Sequence, residues 1–301
     1  MTTEWKARSE AGSSSGIAFV RWVALRLGRR TVSILLWPVA AYFLVARAQE
    51  RAAASDFLRR VLGRKPYPWE LLRYFHNFGQ VATDRVYLFS DNSGSIPARV
   101  HGRLLLERIA EESSGCIVLS SHLGSFEATR AVSLENDRVD VYVIIDRSVN
   151  PNFTRYLEEV APEMATKVID AGAPPTAIAL RVAEALGRGA WIGVPADRQV
   201  EGASALECSL MGQKCWLPRG PFALAAAFDV PIVMATGLYL DGGYELYFDE
   251  LPKPEKRSRR QREAVVVELA GEFTKRLERY AYMAPMNWFN LYDFWADRVD
   301  P

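Results

Sequence analysis

The chain has 301 residues, of which 49% are hydrophobic and 24% charged, with a formal net charge of +1. That length sits near the upper limit for one hydrophobic core, so one large domain with peripheral extensions is expected. The near-neutral balance excludes a strongly basic nucleic-acid binder as the default class, and the ordinary composition excludes a largely disordered chain.

Three cysteines and three histidines are present, with no CxxC pair. Such sparse usage argues against a structural zinc site and fits a reducing compartment better than a disulfide framework.

Residues 1–15 are polar and rich in Ser, Gly and Glu, the composition of a disordered tail. Residues 16–64 read as an N-terminal, membrane-associating helical segment, and 65–301 as an α/β domain. Within the first, Thr31 to Ala46 is uncharged and flanked by Arg29, Arg30 and Arg47. It is shorter than the roughly 20 apolar residues of a spanning helix and contains Pro38. The expected behaviour is monotopic insertion, with arginines at the interface. An ordinary buried helix is the rival reading. Gly63 is a plausible stop, and Lys65-Pro66-Tyr67-Pro68 breaks the chain.

A second helical pattern runs from Trp69 to Phe89, followed by the turn Asp91-Asn92-Ser93-Gly94. A further helix is predicted around Leu104 to Glu112. The pattern then changes. Cys116 to Ser120, Val139 to Ile145, Thr166 to Ile169, Ala190 to Val194 and Val230 to Tyr239 read as strands, and Tyr244 to Phe248 as a hairpin partner across Asp241-Gly242-Gly243. Helical patterns at Ala177 to Leu186 and Phe222 to Phe228 fall between them. Arg262 to Tyr282 is a long amphipathic helix. The alternation predicts an α/β fold, a mixed β-sheet flanked by helices.

The richest stretch for chemistry is Ser120-Ser121-His122-Leu123-Gly124-Ser125-Phe126-Glu127. His122 directly follows a predicted buried strand, where α/β sheets bind ligands. Gly124 permits a tight turn, and Glu127 falls near the start of the next helix. A neutral imidazole steadied by a carboxylate suits removal of a proton from an alcohol. The helix start after Gly124 offers backbone N–H groups to a developing oxyanion. A histidine that merely satisfies a loop carbonyl is the plain alternative. No GxSxG elbow occurs, which disfavours a serine hydrolase.

The segment HLGSFE resembles the H-x4-D/E motif of the lysophospholipid acyltransferase superfamily, and more closely the branch of the bacterial lipid A late acyltransferases. Gly102-Arg103-Leu104, Arg147 after its strand, Val194 to Gln199 and Leu217 to Ala225 resemble further elements of that branch. Ser125 and Phe126 stand where Asn and Trp are common, and Arg198 separates Asp197 from Gln199. The ending Asn287 to Trp295 is more similar to acyltransferases of aryl-polyene and fatty-acid-like clusters.

The resemblance implies a glycerol-phosphate-acyltransferase-like fold. It implies that His122 deprotonates an acceptor hydroxyl, that Glu127 orients His122, and that no acyl-enzyme or cofactor is used. The donor would be an acyl thioester on acyl carrier protein or CoA. The acceptor would be a membrane lipid or glycolipid, at the cytoplasmic face of a bacterial inner membrane.

Gly124, Ser125, Arg147, Asp197 and Arg219 are the expected substrate-binding positions. Arg219, just before a helix start, is placed to hold a phosphate of the acceptor or of the phosphopantetheine arm. For Asp197 a helix cap, and for Arg147 a surface ion pair, are the plain alternatives. The basic run Lys256 to Arg262 is a docking patch for an acidic carrier, or simply a solvated loop. The aromatic ending lines an acyl groove, meets the bilayer interface or packs in the core. Two other classes stay open: a metal-dependent hydrolase using His122, Glu127 and Asp197, and a non-catalytic lipid-binding protein.

Overall fold

The structure is a computed structural model and describes residues 14–88, 96–112, 115–134, 139–147, 165–199, 203–252 and 259–296. The predicted tail, residues 1–15, lies outside them apart from Ser14 and Ser15, which open the first helix. The predicted turn Asp91 to Gly94 and the basic residues Lys256 and Arg257 also lie outside the described residues.

Three helices come first: α1 (Ser14–Ala46), α2 (Ala48–Leu62) and α3 (Pro68–Leu88). Gly28, at φ 78, interrupts α1, and Gly63 closes α2 in the left-handed region. Helices α1 and α3 pack antiparallel, since Arg29 meets Asp84 while Phe43 meets Phe75.

A seven-stranded sheet follows: β1 (Ala98–His101), β2 (Cys116–Gly124), β3 (Val141–Ile145), β4 (Val168–Asp170), β5 (Trp191–Pro195), β8 (Ile232–Leu240) and β9 (Gly243–Glu250). Its order is β1-β9-β8-β2-β5-β3-β4. Five strands run parallel; β9 turns back from β8, and β1 runs parallel to β9. Asp241 and Gly242 both take positive φ, as a two-residue hairpin turn requires. A separate hairpin pairs β6 (Ala205–Leu210) with β7 (Gln213–Pro218). The remaining α-helices among the described residues are α4 (Arg103–Glu111), α5 (Phe126–Leu134), α6 (Pro175–Gly187), α7 (Arg219–Ala227) and α8 (Arg259–Met283).

The central strands are hydrophobic on both faces, as strands covered by helices must be. Ile117, Leu119, Ile192, Ile232 and Val233 are fully buried. The α8 face predicted from spacing (Val266, Leu269, Ala270, Phe273, Leu277 and Tyr280) is buried, and the helix packs chiefly on α7 and β6. Phe57 and Leu58 of α2 join the same core, so the N-terminal helices share it rather than standing apart.

A polar cluster pins α1 to this body. Arg29 donates to both oxygens of the fully buried Asp84 at 2.7 and 2.8 Å and to the Gly242 carbonyl. Tyr244 and Gln80 donate to the same carboxylate.

Strands β2 and β8 draw together at two glycines. Gly124 lies opposite Gly237 at φ +78, and a Cβ on Gly124 would sit 1.8 Å from the Gly237 carbonyl oxygen. Gly124→Ala should therefore destabilise the fold by about 3 kcal/mol or more. Denaturant unfolding measures this, and a loss under about 1 kcal/mol would mean that the approach is not as close as described.

Candidate functional site

His122 and Asp197 meet because two parallel strands deliver them to the same level. In the β2–β5 register Ser120 pairs with Pro195, and His122 and Asp197 each lie two residues further on. The Ala196 N–H bonds the Ser120 carbonyl at 2.8 Å, which extends the pairing to the edge of the site. His122 does not follow its strand as predicted. It lies within β2, in a stretch where pairing to β8 shifts register after Ser120 and resumes at Gly124. In that interval the His122 backbone N–H goes to the Asp197 carboxylate rather than to β8.

The carboxylate on the imidazole is Asp197. Its Oδ1 meets His122 Nδ1 at 2.8 Å, and its Oδ2 accepts the His122 backbone N–H at 2.9 Å and Trp288 Nε1–H at 3.2 Å. Asp197 is fully buried, whereas the His122 side chain is 34% exposed. With Nδ1 committed, Nε2 is the nitrogen left without a partner among the described residues.

Burial is the largest influence on His122 and lowers its pKa below 6.5, and Arg198 and Arg85 push the same way against Asp197. The ring is therefore neutral at pH 7. It carries its proton on Nδ1, toward the carboxylate, and a lone pair on Nε2. Burial alone would raise the Asp197 pKa. The hydrogen bonds and charge of the His122 side, together with Arg198, overcome it and hold the carboxylate at about 2.

Glu127, expected to orient His122, is engaged elsewhere. Its carboxylate pairs with Arg85 of α3 at 2.9 Å and accepts from Ser125 Oγ at 3.1 Å. Ser125 caps α5, its Oγ accepting the Ala128 N–H. The physical reason is the helix: the first turn of α5 leads away from β2 toward α3, while the neighbouring strand brings Asp197 alongside. Backbone N–H groups near Gly124 are also largely spent. Those of His122, Leu123 and Ser125 bond Asp197, Ser121 Oγ and the Gly237 carbonyl.

The other expected positions scatter. Arg147 follows β3 by two residues at the same edge of the sheet, two strands from β2, where its Nη2 bonds the Ala165 carbonyl. Arg219 opens α7 but is bound to Glu263 of α8, with no bond to His122 or Asp197. His122, Glu127 and Asp197 do not converge as a ligand set. Among the described residues no group of three metal-ligating side chains does so.

The structure adds Arg198 and Trp288. Arg198 donates to Asn290 Oδ1 at 3.3 Å and to the Phe289 carbonyl at 3.2 Å. Trp288 is fully buried, forms a β-bridge with Leu123, and accepts at its carbonyl from Tyr74 Oη–H. The Phe289 N–H reaches the His122 carbonyl at 3.3 Å. The C-terminal aromatic segment is thus laid along the His122 strand end. The NWFN run signalled packing, but nothing local told that its indole faces Asp197.

No family model and no curated protein matches the chain.

Three measurements check this electrostatic arrangement. In an NMR pH titration His122 should titrate below 6.5, and in Asp197→Asn lower still, because the one influence raising it is gone. Both native values lie below their unfolded ones, so the native state binds fewer protons. Stability should then fall as pH drops through 6.5, and again from 3.8 toward about 2. Trp288→Phe keeps an aromatic side chain, smaller than the indole, but removes a donor to a buried carboxylate. It should cost about 1.5–3 kcal/mol in denaturant unfolding.

Proposed function

We propose that the chain is a membrane-associated O-acyltransferase that moves an acyl group from a thioester to a lipid or glycolipid hydroxyl. The observation that carries this reading is His122: a neutral, partly exposed imidazole at the carboxyl edge of a parallel sheet, held by a buried carboxylate on Nδ1 and, among the described residues, unpartnered on Nε2. The resemblance of HLGSFE to the H-x4-D/E acyltransferases selects the chemistry.

In this mechanism the acceptor O–H gives its proton to His122 Nε2 as the oxygen attacks the thioester carbonyl. Asp197 balances the imidazolium and keeps the ring oriented. The tetrahedral intermediate collapses, the C–S bond breaks, and the leaving thiolate takes the proton from Nε2. No bond to the protein forms. On this reading the start of α5 supplies the oxyanion's donors from its first-turn amides. Acyl carrier protein or CoA supplies the thioester.

The membrane side of the proposal is supported by α1. Its stretch Arg26–Ala46 is long and apolar enough to cross a bilayer, and only 17% of its most apolar window is buried. Ile34, Val39, Tyr42 and Val45 are exposed. Tyr67 and Trp69, at the start of α3, are exposed near the far end of α1. Arg26, Arg30 and Lys65 are exposed as well, while Arg64 is paired with Glu70. Exposed cations near an apolar face suit attachment to anionic lipid without spanning.

His122→Ala should abolish thioester-dependent acylation of a lipid hydroxyl while the circular dichroism spectrum stays native. Turnover like that of the wild type would end the proposal. Asp197→Asn should reduce turnover about 10²–10⁴-fold and exceed the effect of Glu127→Gln. The opposite order would return the orienting role to Glu127. The Ile34→Asp, Val45→Asp double variant should lose co-sedimentation with phosphatidylglycerol vesicles yet remain folded. Retained binding would place the lipid contact elsewhere.

A further inference from the structure

Two guanidiniums act on the His122 ring, and they differ in what they are bound to. The charged groups that face the ring are Asp197 and Arg198, past the end of β5, and Arg85 of α3. Asp197 favours the imidazolium. Both arginines oppose it, Arg198 more strongly than Arg85. Arg85 is paired with Glu127 at 2.9 Å, which answers its charge. Arg198 is half-buried, and its hydrogen bonds among the described residues run to two neutral oxygens, Asn290 Oδ1 and the Phe289 carbonyl. Asp197, next to it in sequence, spends Oδ1 on His122 Nδ1 and Oδ2 on the His122 N–H and the Trp288 indole. Arg198 therefore holds its charge near the ring without an ion pair among the described residues.

The same side chain closes a bracket. Phe289 is held at both of its backbone groups. Its N–H reaches the His122 carbonyl on β2 at 3.3 Å, and its carbonyl accepts from Arg198 Nη2 at 3.2 Å. Arg198 Nε adds Asn290 Oδ1 at 3.3 Å. One residue back along this segment stands Trp288, whose indole reaches Asp197. A planar fork serves two such acceptors at once, and an ammonium on a flexible stem does not reproduce that geometry.

We propose that Arg198 is a positioning residue with two tasks at this site: its fork fastens residues 289 and 290 across the ends of β2 and β5, which keeps Trp288 on Asp197, and its charge drives His122 to give up any proton it takes. Both tasks belong to the resting protein. Only the use made of the second rests on the acyl-transfer reading. There Nε2 receives the acceptor proton and must pass it to the departing thiolate. Asp197 by itself favours an imidazolium that keeps its proton. A neighbouring cation disfavours that state and returns the ring to its neutral form.

Three substitutions separate the charge from the fork. Arg198→Gln and Arg198→Met remove the charge, whereas Arg198→Lys keeps it and removes the fork. Two uncharged variants are used so that misfolding of one leaves the test in place. In an NMR titration of the full chain without substrate, the His122 midpoint should rise in both uncharged variants and stay near native in Arg198→Lys. The sign follows from taking away a cation that disfavours the protonated ring. Hydrogen exchange at the Trp288 indole should quicken about tenfold in all three, as loss of one charge-assisted bond implies. With octanoyl-CoA as donor, the acid limb of the pH–rate profile should move upward with the NMR midpoint. A midpoint left native by both uncharged variants would overturn the charge assignment, as would one that Arg198→Lys moves equally. Unchanged exchange at Trp288 would overturn the bracket. A midpoint that moves as expected, in a protein whose native form transfers no acyl group, would uphold the hold of Arg198 on the ring and sink the acyl-transfer reading alone.

Discussion

A carboxylate sealed from water has to be answered by donors, and Asp197 organises the site around that requirement. An ionised carboxylate in a dry interior is tolerated only when hydrogen bonds and opposite charge replace its hydration. Three N–H groups do so: His122 Nδ1 and backbone N from the neighbouring strand, and the indole of Trp288 from the far end of the chain. Each answers the charge and is fixed by doing so. The imidazole has its tautomer chosen and its free nitrogen turned outward, which is what a base needs before any substrate arrives.

The third donor explains why the chain must return to the site after α8. Trp288 cannot reach Asp197 unless the segment holding it is placed, and several bonds place it. Asn287 exchanges two hydrogen bonds with the Tyr239 backbone, and Asn77 of α3 donates to the Met286 carbonyl. Phe57 of α2 meets the Trp288 ring edge to face at 5.2 Å. Helices that look peripheral in sequence therefore act on the strand end through this segment. The N-terminal helices and the α/β sheet are separate in composition but not in packing.

Much of the frame was legible in the chain. Runs such as Cys116 to Ser120 and Val230 to Tyr239 are short, apolar and bounded, and a sheet covered on both faces demands that pattern. Strand β1 was not legible, because Ala98 to His101 lies at the sheet edge with Arg99 exposed and carries no apolar run. The β6–β7 hairpin was missed although its signal is present. Cys208 and Leu210 alternate toward Met211 and Gly212, which take the positive φ of a tight turn. At the site, His122 was found and its orienting partner was not. Glu127 is near in sequence, but a helix start carries it to Arg85. Asp197 is far in sequence, and only strand pairing puts it beside the ring. Spacing along a chain reports helix neighbours well and sheet neighbours not at all until the strand order is known.

The same limit bears on the N-terminal helix. Length and hydropathy alone make Arg26–Ala46 a candidate span, yet its neighbours argue for a different placement. Arg29 is tied to Asp84 and to the Gly242 carbonyl, Tyr244 donates to the same Asp84 carboxylate, and His76 stacks on Trp37 at 4.1 Å while bonding the Ser33 carbonyl. Drawing this helix into the bilayer as an independent span would strand those polar groups in hydrocarbon or leave Asp84 buried and unpaired, and either is costly. A helix that keeps its polar stitches on one side and an apolar face on the other can meet the membrane only along its length. On the acyl-transfer reading, that posture sets the α1–α3 layer against the lipid. Helix α3 in turn holds the C-terminal segment that reaches Asp197, so on that reading one run of packed contacts would join the lipid-facing layer to His122.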